Sequence, residues 1–229
     1  MEKSIGISIL TNGNRSGLLL RCVESFLSGC HYRPLVIAVF DNGSTDDTPI
    51  VCGKLPKQDD YGIMWRFSRS EIDLGCAAGT NAAHEMVGDC EYAIHLESDF
   101  EHLPESESGI SPMWLREAIG FLDSGQCDYL YLRRMRTPQE RAIHWFDQWK
   151  ARYTRQVGPY QCCPGFWWSN NPSLRRVKAL YDCKTLPLDV TKDGGKGTVN
   201  WSRPELETAK PTLAWLYGDG QGMFVHRGV

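Results

Sequence analysis

Missing from this sequence is any apolar run near the roughly 18 residues that a membrane-spanning helix needs. Its opening segment, MEKSIGISILTNGNR, also lacks the apolar stretch and small-residue cleavage site of a signal peptide. No C-x-x-C or His-x-x-x-His pair occurs, which removes the usual spacings of a structural zinc site. Neither charge sign dominates: 25 Lys plus Arg stand against 28 Asp plus Glu, which argues against nucleic acid as a partner. The nine cysteines are scattered, with Cys162–Cys163 as their one close pair. An odd number without paired spacing reads as reduced thiols rather than a disulfide framework. Together these absences predict a soluble, cytoplasmic protein.

What is present suits an α/β domain. At 229 residues, 41% hydrophobic, the chain can bury a large core, and no internal repeat or linker divides it. One domain over 1–229 is therefore expected. Ile5–Thr11 is a β-branched apolar run, followed by a helix in which Leu18, Leu19, Cys22, Val23, Phe26 and Leu27 recur at spacings of three and four. Leu35–Phe40 reads as a doubly buried strand ending in the turn Asp41-Asn42-Gly43-Ser44. A short helix near Thr48-Pro49, a strand at Ile63–Ser68, a helix at Ala77–Val87 and a strand at Tyr92–Leu96 follow. This alternation implies a mainly parallel sheet flanked by helices, with ligands expected beyond the carboxyl ends of its strands.

The later chain is less regular. Residues 101–111 read as a solvated acidic loop, and Ser111-Pro112 begins a helix that ends near Ser124-Gly125. A strand at Tyr129–Leu132, a helix at Thr137–Tyr153, a helix at 205–216 and a strand at 223–226 complete the reading. The basic stretch Arg133–Arg155 reads as a solvated helix face, the alternative being contact with an anionic acceptor or membrane surface.

Three polar clusters follow strand ends. Glu97-Ser98-Asp99 sets two carboxylates around a small residue, a pattern suited to Mg²⁺ or Mn²⁺ shared with ligand phosphates. The bland alternative is a solvated acidic turn. Asp41, at a strand tip before Gly43, can accept hydrogen bonds from a base or ribose, or merely cap the next helix. Leu74-Gly75-Cys76-Ala77-Ala78-Gly79-Thr80-Asn81 is a small-residue turn opening a helix, where a phosphate fits. It is neither a Walker loop nor a G-x-G-x-x-G dinucleotide motif.

In their order these clusters resemble the family-2 inverting glycosyltransferases of the GT-A fold. The resemblance rests on Thr11-Asn12-Gly13-Asn14-Arg15, Asp41-Asn42-Gly43-Ser44-Thr45-Asp46, the 74–81 stretch and the acid-x-acid pair at 97–99. It covers roughly the first hundred residues. The resemblance implies a nucleotide-sugar-binding half at 1–100 and an acceptor-binding, catalytic half at 101–229. It implies that Thr11 and Asp41 hold base and ribose with Asn14 and Arg15 nearby. Gly75 and Asn81 would serve the donor, Glu97 and Ser98 the ribose or phosphate side, and Asp99 the metal, Mn²⁺ or Mg²⁺. The family usually has Asp where this chain has Glu97.

The same resemblance puts the base at a helix start well after the metal motif. Glu205 fits that place, with Glu207 in reserve and Asp189 and Asp193 as alternatives; Ser202-x-x-Glu205 is equally a capping-box spacing. His226 is expected to complete the metal shell, against the plain reading of a packed or exposed histidine. Trp167, Trp168, Asn170 and Asn171 form an aromatic and amide stretch suited to an acceptor sugar, or to a core cluster. The donor is expected to be a UDP sugar, with GDP and dTDP as alternatives, and the acceptor a glycan or other hydroxyl compound. The competing activities are a sugar-nucleotide nucleotidyltransferase, poorly matched by the single Arg15 in 12–17, and a non-catalytic nucleotide- or sugar-binding module.

Overall fold

The structure, a computed structural model, describes residues 3–13, 15–55, 62–127, 129–134, 156–163, 172–177, 214–217 and 222–227. In chain order, β1 (Ile5–Thr11), α1 (Ser16–Gly29), β2 (Leu35–Asn42), α2 (Thr48–Gly53), β3 (Ile63–Ser70), α3 (Cys76–Glu85) and β4 (Tyr92–Glu97) form the first half. Then come β5 (Phe100–His102), α4 (Glu105–Ser108), α5 (Trp114–Asp123), β6 (Tyr129–Tyr131), β7 (Gln156–Val157), β8 (Tyr160–Cys163), β9 (Ser173–Arg176), β10 (Ala214–Tyr217) and β11 (Phe224–His226).

The described strands make a large sheet in the order β3-β2-β1-β4-β9-β6-β10-β8-β7. Its first four are parallel, as expected of buried apolar strands joined by helices. From β9 onward the pairing is mixed, β6 with β10 alone being parallel there. A separate antiparallel pair, β5 with β11, stands outside this sheet.

Alternation along β1 assigns its two faces. Ile5, Ile7 and Ile9 join the main core with Leu19, Cys22, Val23 and Phe26 of α1 and Trp114, Leu115 and Leu122 of α5. Leu10 on the opposite side packs with Phe40 of β2 and Ala83 of α3. At Gly6 on that face a side-chain carbon would lie 2.4 Å from Val87 Cβ, so glycine there lets the turn that follows α3 rest on the sheet.

Several expectations shift. Residues 214–216, expected as the end of a helix, lie instead in strand β10, held between β6 and β8. The 101–111 segment is not wholly a solvated loop, because His102, Leu103 and Ile110 are buried and β5 and α4 occupy part of it. The helix begun by Ser111 starts two residues later than expected, at Trp114, with Ser111 Oγ accepting from Met113 N–H at 3.2 Å. The helix expected at 137–153 and the start of that expected at 205–216 lie outside the described residues.

Among the described residues three histidines, His84, His95 and His102, are buried. His84 and His95 pack ring against ring at 4.8 Å, and Arg175 lies 2.9 Å from His84 Nε2. His102 lies among Phe26, Trp114 and Phe224. Burial disfavours the imidazolium, lowering His95 to about 3 and His102 to about 4, and His84 well below its usual value. In the unfolded chain each titrates at about 6.5. Between those values the unfolded state binds more protons, so stability is full above pH 6.5 and falls as the pH drops toward 4. Urea titrations at pH 7 and pH 4.5 should show the midpoint falling; a midpoint that rises on acidification would refute this.

Candidate active site

The strand tips of the parallel half converge by register. In β1, Thr11 lies opposite Asp41 of β2, and Leu10 lies opposite Glu97 of β4. Asp41 and Glu97 therefore flank β1, two strand spacings or roughly 10 Å apart. Ser98 N–H continues the ladder by donating to Leu10 O at 3.0 Å, which places Asp99 just past the sheet edge.

A cleft of about 520 Å³ opens there, lined by Arg15, Asn42, Asp73, Glu97, Asp99 and His226, with Leu10, Asn12, Gly75 and Cys76 completing its wall. This is within the range of small-molecule sites. Asp99 is only 4% exposed, and its Oδ2 accepts from Arg15 Nη1 at 2.9 Å and lies 3.2 Å from His226 Nε2. Arg15 precedes α1, whose first helical bond runs from Leu19 N–H to Arg15 O, so the turn after β1 delivers the guanidinium. His226 arrives on β11, where it pairs with Phe100 and its ring packs 5.3 Å from the Phe100 ring. Arg227 locks this arrangement: its N–H donates to Asp99 O at 2.7 Å and its Nε to Glu101 Oε2 at 2.8 Å.

The tip of β2 works differently. Asp41 is fully buried; its Oδ1 accepts from Ser44 N–H at 3.0 Å, and its Oδ2 lies 3.4 Å from Arg69 Nε without a hydrogen bond. Asp41 makes no bond to the next helix; Asp46, one residue before its N-cap Asp47, accepts from Thr48 N–H at 3.0 Å. Desolvation pushes the Asp46 carboxyl up, but hydrogen bonds from the Thr48 side chain and from the Thr48 and Ser16 backbone together hold it below its usual value. Asn42 is a clamp: Nδ2 donates to Asp73 Oδ1 at 2.9 Å and to Gly75 O at 3.3 Å, while Oδ1 accepts from Leu74 N–H at 2.9 Å. These bonds fix the turn that ends in Gly75, at φ 79° before α3. Asn42→Ala should therefore cost about 1–3 kcal/mol by removing three hydrogen bonds that tie the turn to β2, although Asp73 Oδ1 keeps Gly75 N–H at 2.8 Å. Denaturant titration measures that cost, and an unchanged midpoint would show the turn holds without the clamp.

Of the expected site residues, Arg15, Gly75, Glu97, Asp99 and His226 line the cleft. Thr11, Asp41 and Ser98 sit behind its wall, buried, and Asn81 is half-buried along α3. Thr11 Oγ1, Ser98 Oγ and Asp99 Oδ1 are buried without hydrogen-bond partners, an unusual concentration of unsatisfied polar atoms at one sheet edge. Asn14, Trp167, Trp168, Asn170, Asn171, Glu205 and Glu207 lie outside the described residues. Asp73 and Arg69 were not foreseen; their segment reads locally as the end of an edge strand and a polar turn. Asn42 was visible in its motif, but its role is long-range.

The donor set fits a hard divalent cation. Among the described residues no three His, Cys, Asp or Glu side chains converge, which does not suit a closed zinc site. Mg²⁺ and Mn²⁺ need few protein ligands when phosphates and water supply the rest, and Asp99 Oδ2 and His226 Nε2 are spaced like adjacent ligands of one such ion at bonds of about 2.1 Å.

Known structures of the same shape cover nearly the whole chain. S. aureus TarS, residues 1–349, in complex with UDP-GlcNAc, matches with TM-score 0.61 and 14% identity over 99% of this chain and 59% of that one. A mannosyltransferase from Pyrobaculum calidifontis in complex with GDP-Man and Mn²⁺ matches with TM-score 0.57 and 14% identity over 95% of this chain and 57% of that one. GalNAc-T7 with UDP, GalNAc and Mn²⁺ gives TM-score 0.60 and 10% identity over 98% and 44%. The chain thus spans about 60% or less of the length of these structures, which share its GT-A fold. No curated protein matches it significantly. The model of glycosyl transferase family 2 matches residues 9–181, from inside β1 past β9, so the strand tips that build the cleft lie within the matched region and the chain belongs to that family.

Proposed function

We propose that the chain transfers a sugar, with inversion, from a nucleotide-diphosphate sugar to a hydroxyl of a glycan or other acceptor. Mn²⁺ or Mg²⁺ would be held by Asp99 and His226. The observation that carries this reading is that Asp99, His226, Arg15 and the start of α3 face one cleft beside the tip of β2. Similar structures hold UDP-GlcNAc, GDP-Man with Mn²⁺, and UDP with GalNAc and Mn²⁺, which supports a donor of this class. UDP remains the first donor base to test, followed by GDP and dTDP.

In this reading residues 1–100 bind the donor. Thr11, Asp41 and Asn14 serve base and ribose; Thr11 Oγ1 and Asp41 Oδ2 are buried without hydrogen-bond partners and outside the cleft lining, so the wall beside them must shift for a ligand's N–H or O–H groups to reach them. Glu97 and Ser98 serve the ribose or phosphate side, while Gly75, Asn81 and the start of α3 receive the diphosphate. When bound, the cation offsets the charge growing on the departing diphosphate. The acceptor oxygen bonds to the anomeric carbon as the bond from that carbon to the diphosphate oxygen breaks. That electron pair leaves with the nucleoside diphosphate, and the hydroxyl proton passes to a carboxylate base. Glu205 is the proposed base and Glu207 its substitute, while Trp167, Trp168, Asn170 and Asn171 hold the acceptor in the 101–229 half.

The test is release of nucleoside diphosphate from UDP-, GDP- and dTDP-sugars over an acceptor panel, with Mn²⁺ and with chelator. Cation-dependent release with any donor supports the reading. Nucleotide binding without release from any of them would leave a binding module, and pyrophosphate release from a nucleoside triphosphate plus sugar phosphate would mark a nucleotidyltransferase.

A further inference from the structure

Arg15 and His226 approach the same oxygen of Asp99, and the other oxygen of that carboxylate is buried out of reach. A cation drawn to Asp99 must therefore come to Oδ2, where Arg15 Nη1 already lies at 2.9 Å. A guanidinium and a divalent cation on one carboxylate oxygen repel each other, which weakens the hold of each and favours the departure of the guanidinium when the cation binds. The guanidinium has somewhere to go. Its side chain is 40% exposed, it lines the cleft, and the start of α3 at Gly75 and Cys76 forms part of the same wall.

We propose that Arg15 is an exchangeable counter-ion: it neutralises Asp99 when no cation is bound and moves to the donor's diphosphate when one is. The inference rests on the cation-dependent reading of the cleft, and it adds a coupling that the reading does not require. Cation and nucleotide each release Arg15 from Asp99, so whichever binds first removes that cost for the second. By linkage, the factor by which Mn²⁺ tightens nucleotide binding equals the factor by which nucleotide tightens Mn²⁺. Arg15 thereby couples the two ligands in both directions, since Asp99 takes up the cation more readily once a diphosphate has drawn the guanidinium away, and the reverse.

The test compares wild type, Arg15→Gln and Arg15→Lys by calorimetry with Mn²⁺ alone, UDP alone and both, with GDP in parallel. Circular dichroism confirms that each variant is folded. In Arg15→Gln, Mn²⁺ alone should bind roughly fivefold tighter than in wild type, while UDP in saturating Mn²⁺ binds more weakly. The mutual enhancement of the two ligands should shrink, and Arg15→Lys should fall between the extremes because it keeps the charge and loses the fork. If Arg15 merely orients Asp99, both variants weaken Mn²⁺ binding, and the proposal is overturned. Unchanged Mn²⁺ affinity in folded variants overturns it as well. A wild-type protein that binds UDP but no Mn²⁺ would instead refute the cation-dependent reading, and this inference with it.

Discussion

Asp99→Asn is expected to lower cation-dependent turnover of the donor by about 10²–10³-fold, the scale seen when one charge-stabilising group is removed from a reaction centre. Asparagine keeps the shape of the side chain and can still accept a hydrogen bond from Arg15, but it carries no charge to hold Mn²⁺ or Mg²⁺. The loss should appear in kcat at saturating donor, because the diphosphate leaves without its counter-charge. The thermal midpoint should stay within about 4 °C, since Arg15 is exposed enough to be solvated once its partner is neutral. Full turnover by the variant in the presence of chelator would remove Asp99 from the chemistry.

The second large effect belongs to a glycine. Gly43 has φ 74°, and a side-chain carbon built on it would lie 2.4 Å from both Asp73 N and Ile72 C. Those are backbone atoms of the turn clamped by Asn42, so they cannot yield as a flexible side chain would. Gly43→Ala combines a left-handed conformation with overpacking, together about 2–4 kcal/mol. Unlike a remote core substitution, it should also weaken nucleotide binding, because the turn carries Gly75 and the start of α3 into the cleft wall. Urea unfolding and UDP calorimetry on the same preparation separate the two effects; wild-type values in both would mean the turn is free to move aside.

The parts of this molecule that were legible in the sequence are those where one local signal suffices. β1 is a β-branched apolar stretch interrupted by Ser8, β2 opens on the unbroken run Leu35–Phe40, α1 has a clear helical period, and Asp41 and Asp99 stand at or just past the point where the apolar residues of β2 and β4 stop. Gly43 announced a turn, although nothing local showed that another segment crosses over it. Strand β10 was misread because Ala-Trp-Leu-Tyr is too short to show a period and contains good helix formers; its state is decided by β6 and β8 on either side. The pairing of β5 with β11 joins three-residue strands more than a hundred residues apart, which no window along the chain can reveal. Arg69 and Asp73 escaped for a similar reason, since each matters through a strand tip some thirty residues earlier.

The β5–β11 pair also bears on how the protein comes into being. Asp99 and His226 are separated by 127 positions, and they meet only because Phe224–His226 returns to lie beside Phe100–His102. On the ribosome, a nascent chain can complete the parallel half with Asp99 in place long before His226 has been translated. The donor half can therefore be compact while the cation site is still half built, and a protease cut that frees 222–227 would return a mature molecule to that juvenile state.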